Sequence, residues 1–363
     1  MNIVRQWIQR LIAPIDPILM LLTGILFTYA FLAVLSASPE RASNQLMNTL
    51  VALLVMRVLA SIPPQRLMHL APPIFVGGVF LLICVALFGD ISKGARRWLN
   101  VGFMRIQPSE LMKIAMPLML AWYFQKYEAH LRLRDFGIAA VLLLIPTALI
   151  ARQPDLGTAI LVFAAGFYVI FFAGLPWKII IGLAIGACAS APIAWTLLHD
   201  YQRHRILTLI DPEKDPLGKG FHIIQSTIAI GSGGFFGKGW GQGTQTQLEF
   251  IPERHTDFIF AVLSEELGLL GNLFLLALYA LLIGRGLMIA ANAATLFSRL
   301  MAGAISMIFF TYAFVNMGMV SGILPVVGVP LPFMSYGGTA LVTLSVGIGI
   351  LMSIHRNRML VQK

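Results

Sequence analysis

The chain has 363 residues, 58% hydrophobic and only 12% charged, with a formal net charge of +10 and a mean hydropathy of +0.82. Soluble domains carry about a quarter charged residues, so the composition excludes a soluble domain and indicates an integral membrane protein. Cys84 and Cys188 both lie inside apolar runs and read as small hydrophobes, not as a disulfide or metal site.

Apolar runs long enough to span a bilayer, about 20 residues each, begin near Ile18, Gln45, Leu70, Leu111, Phe136, Leu156, Ile179, Phe258, Leu300 and Ala340. The expectation is an all-α polytopic membrane protein with about ten transmembrane helices, forming a single membrane domain over residues 1–363. The first run starts after Pro17 and has no small-residue cleavage site, so no cleavable signal peptide is expected. With Arg5 and Arg10 on the cytoplasmic side, an even number of spans returns the C-terminus to that side. The outer loops then hold nearly as many cations as the inner ones. Among them are Arg41, Lys93, Arg96, Arg97, Arg105, Lys214, Lys219, Lys238 and Arg254. So many outer cations suit a strongly anionic ligand on the non-cytoplasmic face; the competing reading is plain solvated loop surface.

Four clusters break the apolar rhythm. The first, GARRWLNVGFMRIQPSELMKIA at 94–115, leads from an outer loop into the fourth span. Glu110 and Lys113 are three residues apart, share a helix face and can neutralise one another. As a buried pair they are either structural or part of a site. Arg97 offers a fork for phosphate or carboxylate, and Trp98 an interfacial anchor or a sugar-stacking platform. The second cluster is ARQPDLGTAI at 151–160, where Asp155 alone would be an N-cap for the sixth span.

Residues 200–257 form one long polar, glycine-rich loop between the seventh and eighth spans, with 222–230 apolar enough for a short interfacial helix. Loops longer than about 12–15 residues are usually functional or disordered. Its glycines allow close backbone approach to a ligand, without phosphate-loop spacing. The third cluster closes this loop: FIPERHTDFIFAVLSEELG, at 250–268, puts Asp257 at the bilayer edge beside Arg254 and His255. Ionisable groups there cost roughly 2.5–3.5 kcal/mol each on insertion scales, which makes them functional candidates; the competing reading is a helix-start acid. The fourth cluster, GILPVVGVPLPFMSYGGTAL at 322–341, is too rich in proline and glycine for a simple helix. It suggests a tightly folded segment lining a cavity, with Ser335 and Tyr336 able to donate to a polar headgroup, or else a rigid turn. No zinc spacing, nucleotide-binding glycine pattern or Ser–His–Asp context is present.

Together these clusters resemble the SEDS family (shape, elongation, division and sporulation proteins) over almost the whole chain. KGARRW at 93–98, QPSELMK at 107–113, QPDLGTA at 153–159, PERHTDFIFAVLSEELG at 252–268 and LPFMSYGG at 331–338 match in order and spacing. The last two look more like the elongation members than the division members. The resemblance implies a ten-span peptidoglycan glycosyltransferase of the inner membrane that polymerises lipid II on the outer face. It also implies a class B penicillin-binding protein as transpeptidase partner within the elongation machinery, and no nucleic acid. The family's essential aspartate, in the loop before the eighth span, maps onto Asp257.

The implied chemistry suits these residues. Lipid II carries an undecaprenyl pyrophosphate on its anomeric carbon, and chain extension requires deprotonating an acceptor 4-hydroxyl as it attacks. One carboxylate suffices as general base. The leaving group is already an anion, so it needs cations and donors, for which Arg97, Lys113 and Arg254 are candidates. No cofactor is required, and a divalent cation could share in neutralising the pyrophosphate, although no cage for one is evident. The competing class is a lipid II flippase, which needs polar residues through the membrane depth. Glu265 and Glu266, deeper than the other charges, are its support.

Overall fold

The computed structural model describes residues 15–92, 95–100, 105–198, 200–215, 218–251 and 253–358. Arg5, Arg10, Lys93, Pro252 and Lys363 lie outside the described residues, as do the side chains of Arg96, Arg105 and Lys219. Each of the ten apolar runs coincides with a helix. These are α1 (Pro17–Ala37), α2 (Ala42–Ser61), α3 (Pro64–Phe88), α4 (Pro108–Lys126), α5 (Leu133–Arg152), α6 (Leu156–Phe172) and α7 (Trp177–Leu197). After three further helices, α8 (Asp200–Ile210), α9 (Lys219–Ser232) and α10 (Thr244–Gln247), come α11 (Ile259–Ala291), α12 (Leu296–Val320) and α13 (Gly338–Asn357).

Seven of the described helices are long and apolar enough to cross a membrane: α1, α2, α3, α5, α11, α12 and α13. α6 and α7 are shorter apolar helices, and α4 carries Glu110, Lys113 and Lys126. Proline sits in the first turn of α1, α3 and α4, where its missing N–H is no loss. Pro72, Pro73, Pro117 and Pro146 lie inside helices, as neighbouring membrane helices permit. α12 is the most enclosed span, with 72% of its apolar window buried. It packs on α4, α6 and α11, so it is the hub of the bundle. α2 and α13 approach closely because Gly349 has no side chain; a Cβ there would stand 2.6 Å from the Met56 carbonyl oxygen.

Two features depart from the expected fold. The segment after α3 is a small antiparallel sheet, β1 (Asp90–Ser92), β2 (Ala95–Asn100) and β3 (Arg105–Ile106), in the order β1-β2-β3. The hydropathy pattern gave no sign of it, because so short a strand has no resolvable period. The stretch 200–257 is also largely ordered into α8, α9 and α10, with the anticipated short helix present as α9.

Contacts between distant segments sort the loops into two ends. At one end, Arg285 of α11 and His355 of α13 both meet Asp16 at the start of α1, and Ser353 of α13 donates to the Ile62 carbonyl. At the other end, Arg254 reaches the Ala37 carbonyl at 2.6 Å and Arg97 the Pro154 carbonyl at 2.6 Å, while the Tyr336 N–H donates to the His255 carbonyl at 2.8 Å. All four sequence clusters therefore open onto the same end of the bundle.

α11 is broken at Gly268, whose φ of 62° and ψ of −158° are reachable essentially by glycine alone. The break turns the Leu269 and Leu270 N–H groups towards the Gly234 and Phe235 carbonyls, at 2.9 and 3.2 Å. The glycine-rich segment between α9 and α10 thus completes the helix's hydrogen bonding. Gly→Ala in an ordinary helix stabilises by roughly 1 kcal/mol. For Gly268→Ala the opposite sign is expected: the added Cβ would collide with the Gly237 nitrogen, and the backbone strain alone costs about 1–3 kcal/mol. A lowered thermal midpoint of the purified protein is the expected result, and a raised one would refute this account of the break.

Candidate active site

Asp257 ends the loop leading into α11, one residue before the N-cap Phe258, which makes no side-chain cap bond. The Asp257 backbone carbonyl accepts from Asn316 Nδ2 of α12 at 2.8 Å. The same Nδ2 donates to the Val329 carbonyl at 2.7 Å, and Asn316 is fully buried. One amide thus clips the 249–257 loop to the 322–337 loop. Two further bonds join the same loops: Ser335 Oγ donates to the Thr256 carbonyl at 2.7 Å, and Tyr336 N–H donates to the His255 carbonyl. The Asp257 carboxylate faces Gly328, where a Cβ would stand 3.4 Å from Oδ2; its φ of 74° also favours glycine.

Ser335 is therefore spent within the protein, since its oxygen also accepts from the Leu331 N–H at 2.7 Å. Tyr336 presents its ring to His255, with centroids 5.7 Å apart, and to the Arg41 guanidinium 5.3 Å above it. Burial, reinforced by Arg41 and Arg254, holds the His255 imidazole below its ordinary value, so the side chain is neutral at pH 7.

Asp155 does cap its helix: Oδ1 accepts from the Thr158 N–H at 3.2 Å. Oδ2 accepts from Gln107 Nε2 at 3.2 Å and stands 3.8 Å from Arg97 Nε. The QPDLG turn reaches the Asp257 neighbourhood indirectly. A Cβ on Gly157 would lie 2.7 Å from the Val327 carbonyl, one residue before Gly328. Trp98 sits half-buried in β2 opposite Asp90. Arg97 therefore joins the start of α6, and Trp98 pairs with β1.

Lys113 and Glu110 are paired at 2.6 Å, with side-chain exposures of 4% and 14%. The ammonium also lies 5.1 Å from the centroid of the Tyr312 ring, one helical turn before Asn316 on α12. Arg254 donates from Nε to Ala37 and from Nη2 to Glu249 Oε1 at 2.9 Å. All three cations put forward by the sequence are thus engaged by the protein. Among the described residues no group of three or more histidine, cysteine or carboxylate side chains stands together to hold a divalent cation.

Glu265 and Glu266 also have protein partners. Glu265 has no exposure and accepts from Lys238 Nζ at 2.8 Å, the Gln245 N–H at 2.9 Å and the Thr246 N–H at 3.2 Å. Glu266 accepts from Ser36 Oγ. Lys238 therefore does not face outward as a free cation, and these bonds pin the glycine-rich segment to α11. Sequence reasoning missed Asn316, although an amide within an apolar helix is the signal that finds such clips. It also missed the hold of Glu265 on the loop, which no local pattern encodes.

Comparison with known proteins places this arrangement. Residues 13–360 match the family model described as FtsW/RodA/SpoVE, cell cycle protein. The chain is 54% identical over 353 residues, covering 96% of it and 95% of the relative, to peptidoglycan glycosyltransferase MrdB of Escherichia coli strain K12. Its fold is similar to that of a chain from a peptidoglycan synthase complex, studied for the structural coordination of polymerization and crosslinking. There the TM-score is 0.82 at 35% identity, covering 94% of this chain and 98% of that one. It is also similar to the rod shape determining protein RodA of Thermus thermophilus, with a TM-score of 0.72 at 30% identity, covering 94% and 97%.

The buried pair in α4 gives a stability prediction. Lys113→Met leaves Glu110 uncompensated beside its unpartnered Oε2, and removing one partner of a buried pair costs about 3–5 kcal/mol. The double substitution Glu110→Gln, Lys113→Met should recover most of that loss. Thermal melts of the two variants make the check; a double variant as unstable as the single one would show that the pair's charges are not what matters.

Proposed function

The chain belongs to the FtsW/RodA/SpoVE family of cell cycle proteins, and from that membership we propose how it acts as a peptidoglycan glycosyltransferase. It polymerises lipid II into glycan at the outer face of the inner membrane, with Asp257 as general base. The observation that carries the assignment of Asp257 is its setting. The carboxylate faces Gly328, on a loop whose backbone is clipped by Asn316, Ser335 and Tyr336. A base held by backbone bonds needs little reorganisation when it takes a proton, which favours transfer.

In the step as we write it, the acceptor 4-hydroxyl attacks the anomeric carbon of lipid II. Its proton passes to the Asp257 carboxylate, the new glycosidic bond forms, and the bond to undecaprenyl pyrophosphate breaks with inversion. No covalent enzyme intermediate is needed. The Glu110–Lys113 pair and Asp155 set the shape of the surrounding elements, and Trp98 is a candidate surface for sugar rings. The flippase reading is not favoured, because Glu265 and Glu266 are consumed by Lys238, backbone amides and Ser36.

The full architecture we propose is ten transmembrane helices with both termini cytoplasmic, which puts 200–257 and the four clusters outside. Alternation of the helices supports it, since the contacts at each end join only loops of matching parity. A class B penicillin-binding protein is the proposed partner, supplying crosslinks to the new glycan. The likeness to a synthase complex that coordinates polymerization and crosslinking supports that pairing.

Two outcomes test this. Asp257→Asn keeps the shape and removes the proton acceptor, so polymerisation of labelled lipid II should fall at least ~100-fold, the low end for a general base, while lipid II binding persists. Near-normal turnover would sink the assignment. For orientation, Lys214, on the exposed turn between α8 and α9, is replaced by cysteine in a background lacking Cys84 and Cys188. A membrane-impermeant thiol reagent should label Lys214→Cys from outside; labelling only after the inner membrane is broken would invert the topology.

A further inference from the structure

The three cations that the sequence offers to a pyrophosphate are all committed elsewhere. Arg254 is held by Ala37 and Glu249, Arg97 by Pro154 and Asp155, and Lys113 by Glu110 beneath Tyr312. Withdrawing any of them to meet a ligand breaks bonds the fold uses. Yet the departing group of the proposed reaction is a polyanion, and it must leave from the neighbourhood of Asp257.

Arg41 differs. It lies between α1 and α2 at the same end of the bundle, with its side chain 42% exposed. Its guanidinium is carried on the face of Tyr336, 5.3 Å from the ring centroid, and the Tyr336 N–H is bonded to His255, two residues before Asp257. The acid paired with it, Glu40, is 69% exposed and 3.9 Å away, too far for a hydrogen bond. Exposed pairs of that kind hold little energy, so a ligand can displace Glu40 at small cost. A guanidinium over an aromatic face is attracted by the ring without using its N–H donors, and at 42% exposure the Arg41 side chain is open to a ligand. The fork of donors matches two phosphate oxygens at once.

We infer that Arg41, mounted on Tyr336, is the binding residue for the pyrophosphate of the lipid-linked substrate beside Asp257. The ligand class is a membrane-anchored pyrophosphate ester. This deepens the proposed function and rests on it, since it takes the site at Asp257 to be where lipid II reacts. It also gives Tyr336 a role distinct from hydrogen bonding: the ring is the platform, and the cation it carries makes the contact.

The experiment uses the full chain in phosphatidylcholine nanodiscs, with undecaprenyl pyrophosphate as the probe. Arg41→Gln keeps most of the stem on Tyr336 and removes the charge; Arg41→Lys keeps a charge without the fork. Charge-assisted bonds of this kind support a loss of about tenfold or more in probe affinity for Arg41→Gln, with Arg41→Lys between it and wild type. Asp257→Asn should bind the probe like wild type while losing polymerisation, which separates failure of the two ideas. Wild-type affinity in Arg41→Gln would overturn the inference, whatever that variant's turnover. Repeating the titration in phosphatidylglycerol nanodiscs distinguishes the source of phosphate. If bulk anionic lipid abolishes the difference between wild type and Arg41→Gln, Arg41 reads the membrane surface and the inference falls. If Arg41→Gln does not fold, the comparison of Arg41→Lys with wild type decides, equal affinity overturning the inference.

Discussion

Glu265 sits in the second turn of α11 without solvent exposure, and its two oxygens take Lys238, the hydroxyls of Thr244 and Thr246, and the N–H groups of Gln245 and Thr246. A carboxylate so placed is costly unless its lone pairs are filled, and filling them requires the segment from Lys238 to Thr246 to fold down onto the helix. Gly268, three residues on, lets the helix backbone open towards the same glycine-rich segment. The portion of the chain outside the apolar bundle is thereby fixed to the element that begins immediately after Asp257. That attachment ties residues 234–246 to the helix that follows Asp257.

The basic residues at this end have divided roles for a related reason. Helix ends leave carbonyls without partners, and near a bilayer water is a poor substitute. Arg254 satisfies the end of α1 and Arg97 satisfies the turn before α6. Guanidinium groups do this well because they carry several donors on one rigid plane. Cations at this end of the bundle thus close the fold, and in the reading proposed above one of them also meets an anion. Only burial and partner geometry tell the two uses apart.

α12 connects the parts of the site. Thr311 meets Tyr168 of α6 at 2.7 Å, Tyr312 lies over Lys113 of α4, and Asn316 clips both loops at Asp257. These residues fall within two turns on one helix, so a shift of α12 would move Asp257, the α4 pair and α6 together. Phe333, buried between Phe27 and Phe309, holds a φ of 60° in the loop that faces Asp257. A non-glycine residue in that region persists only where its surroundings over-determine it, which fits a preorganised site.

The sequence alone determined where the helices run, because hydropathy is a local property and every one of the ten apolar runs became a helix. Asp257 was legible for the same reason: a carboxylate at the boundary of an apolar run stands out without knowledge of contacts, and so did the Glu110–Lys113 pair at helical spacing. Tertiary structure decided what the other polar residues do. Arg254 and Ala37 are 217 positions apart, and Arg97 and Pro154 are 57 apart; no periodicity links such pairs. Lys238 reads as a solvent-facing cation until the fold brings Glu265 beneath it, and Ser335 as a free donor until Thr256 arrives. Arg41 shows the converse, an unremarkable residue of a short connection that becomes prominent only when Tyr336 comes under it. A charge declares its presence in the sequence, but its role is set by the partner it meets, and that partner is chosen by packing across the bundle.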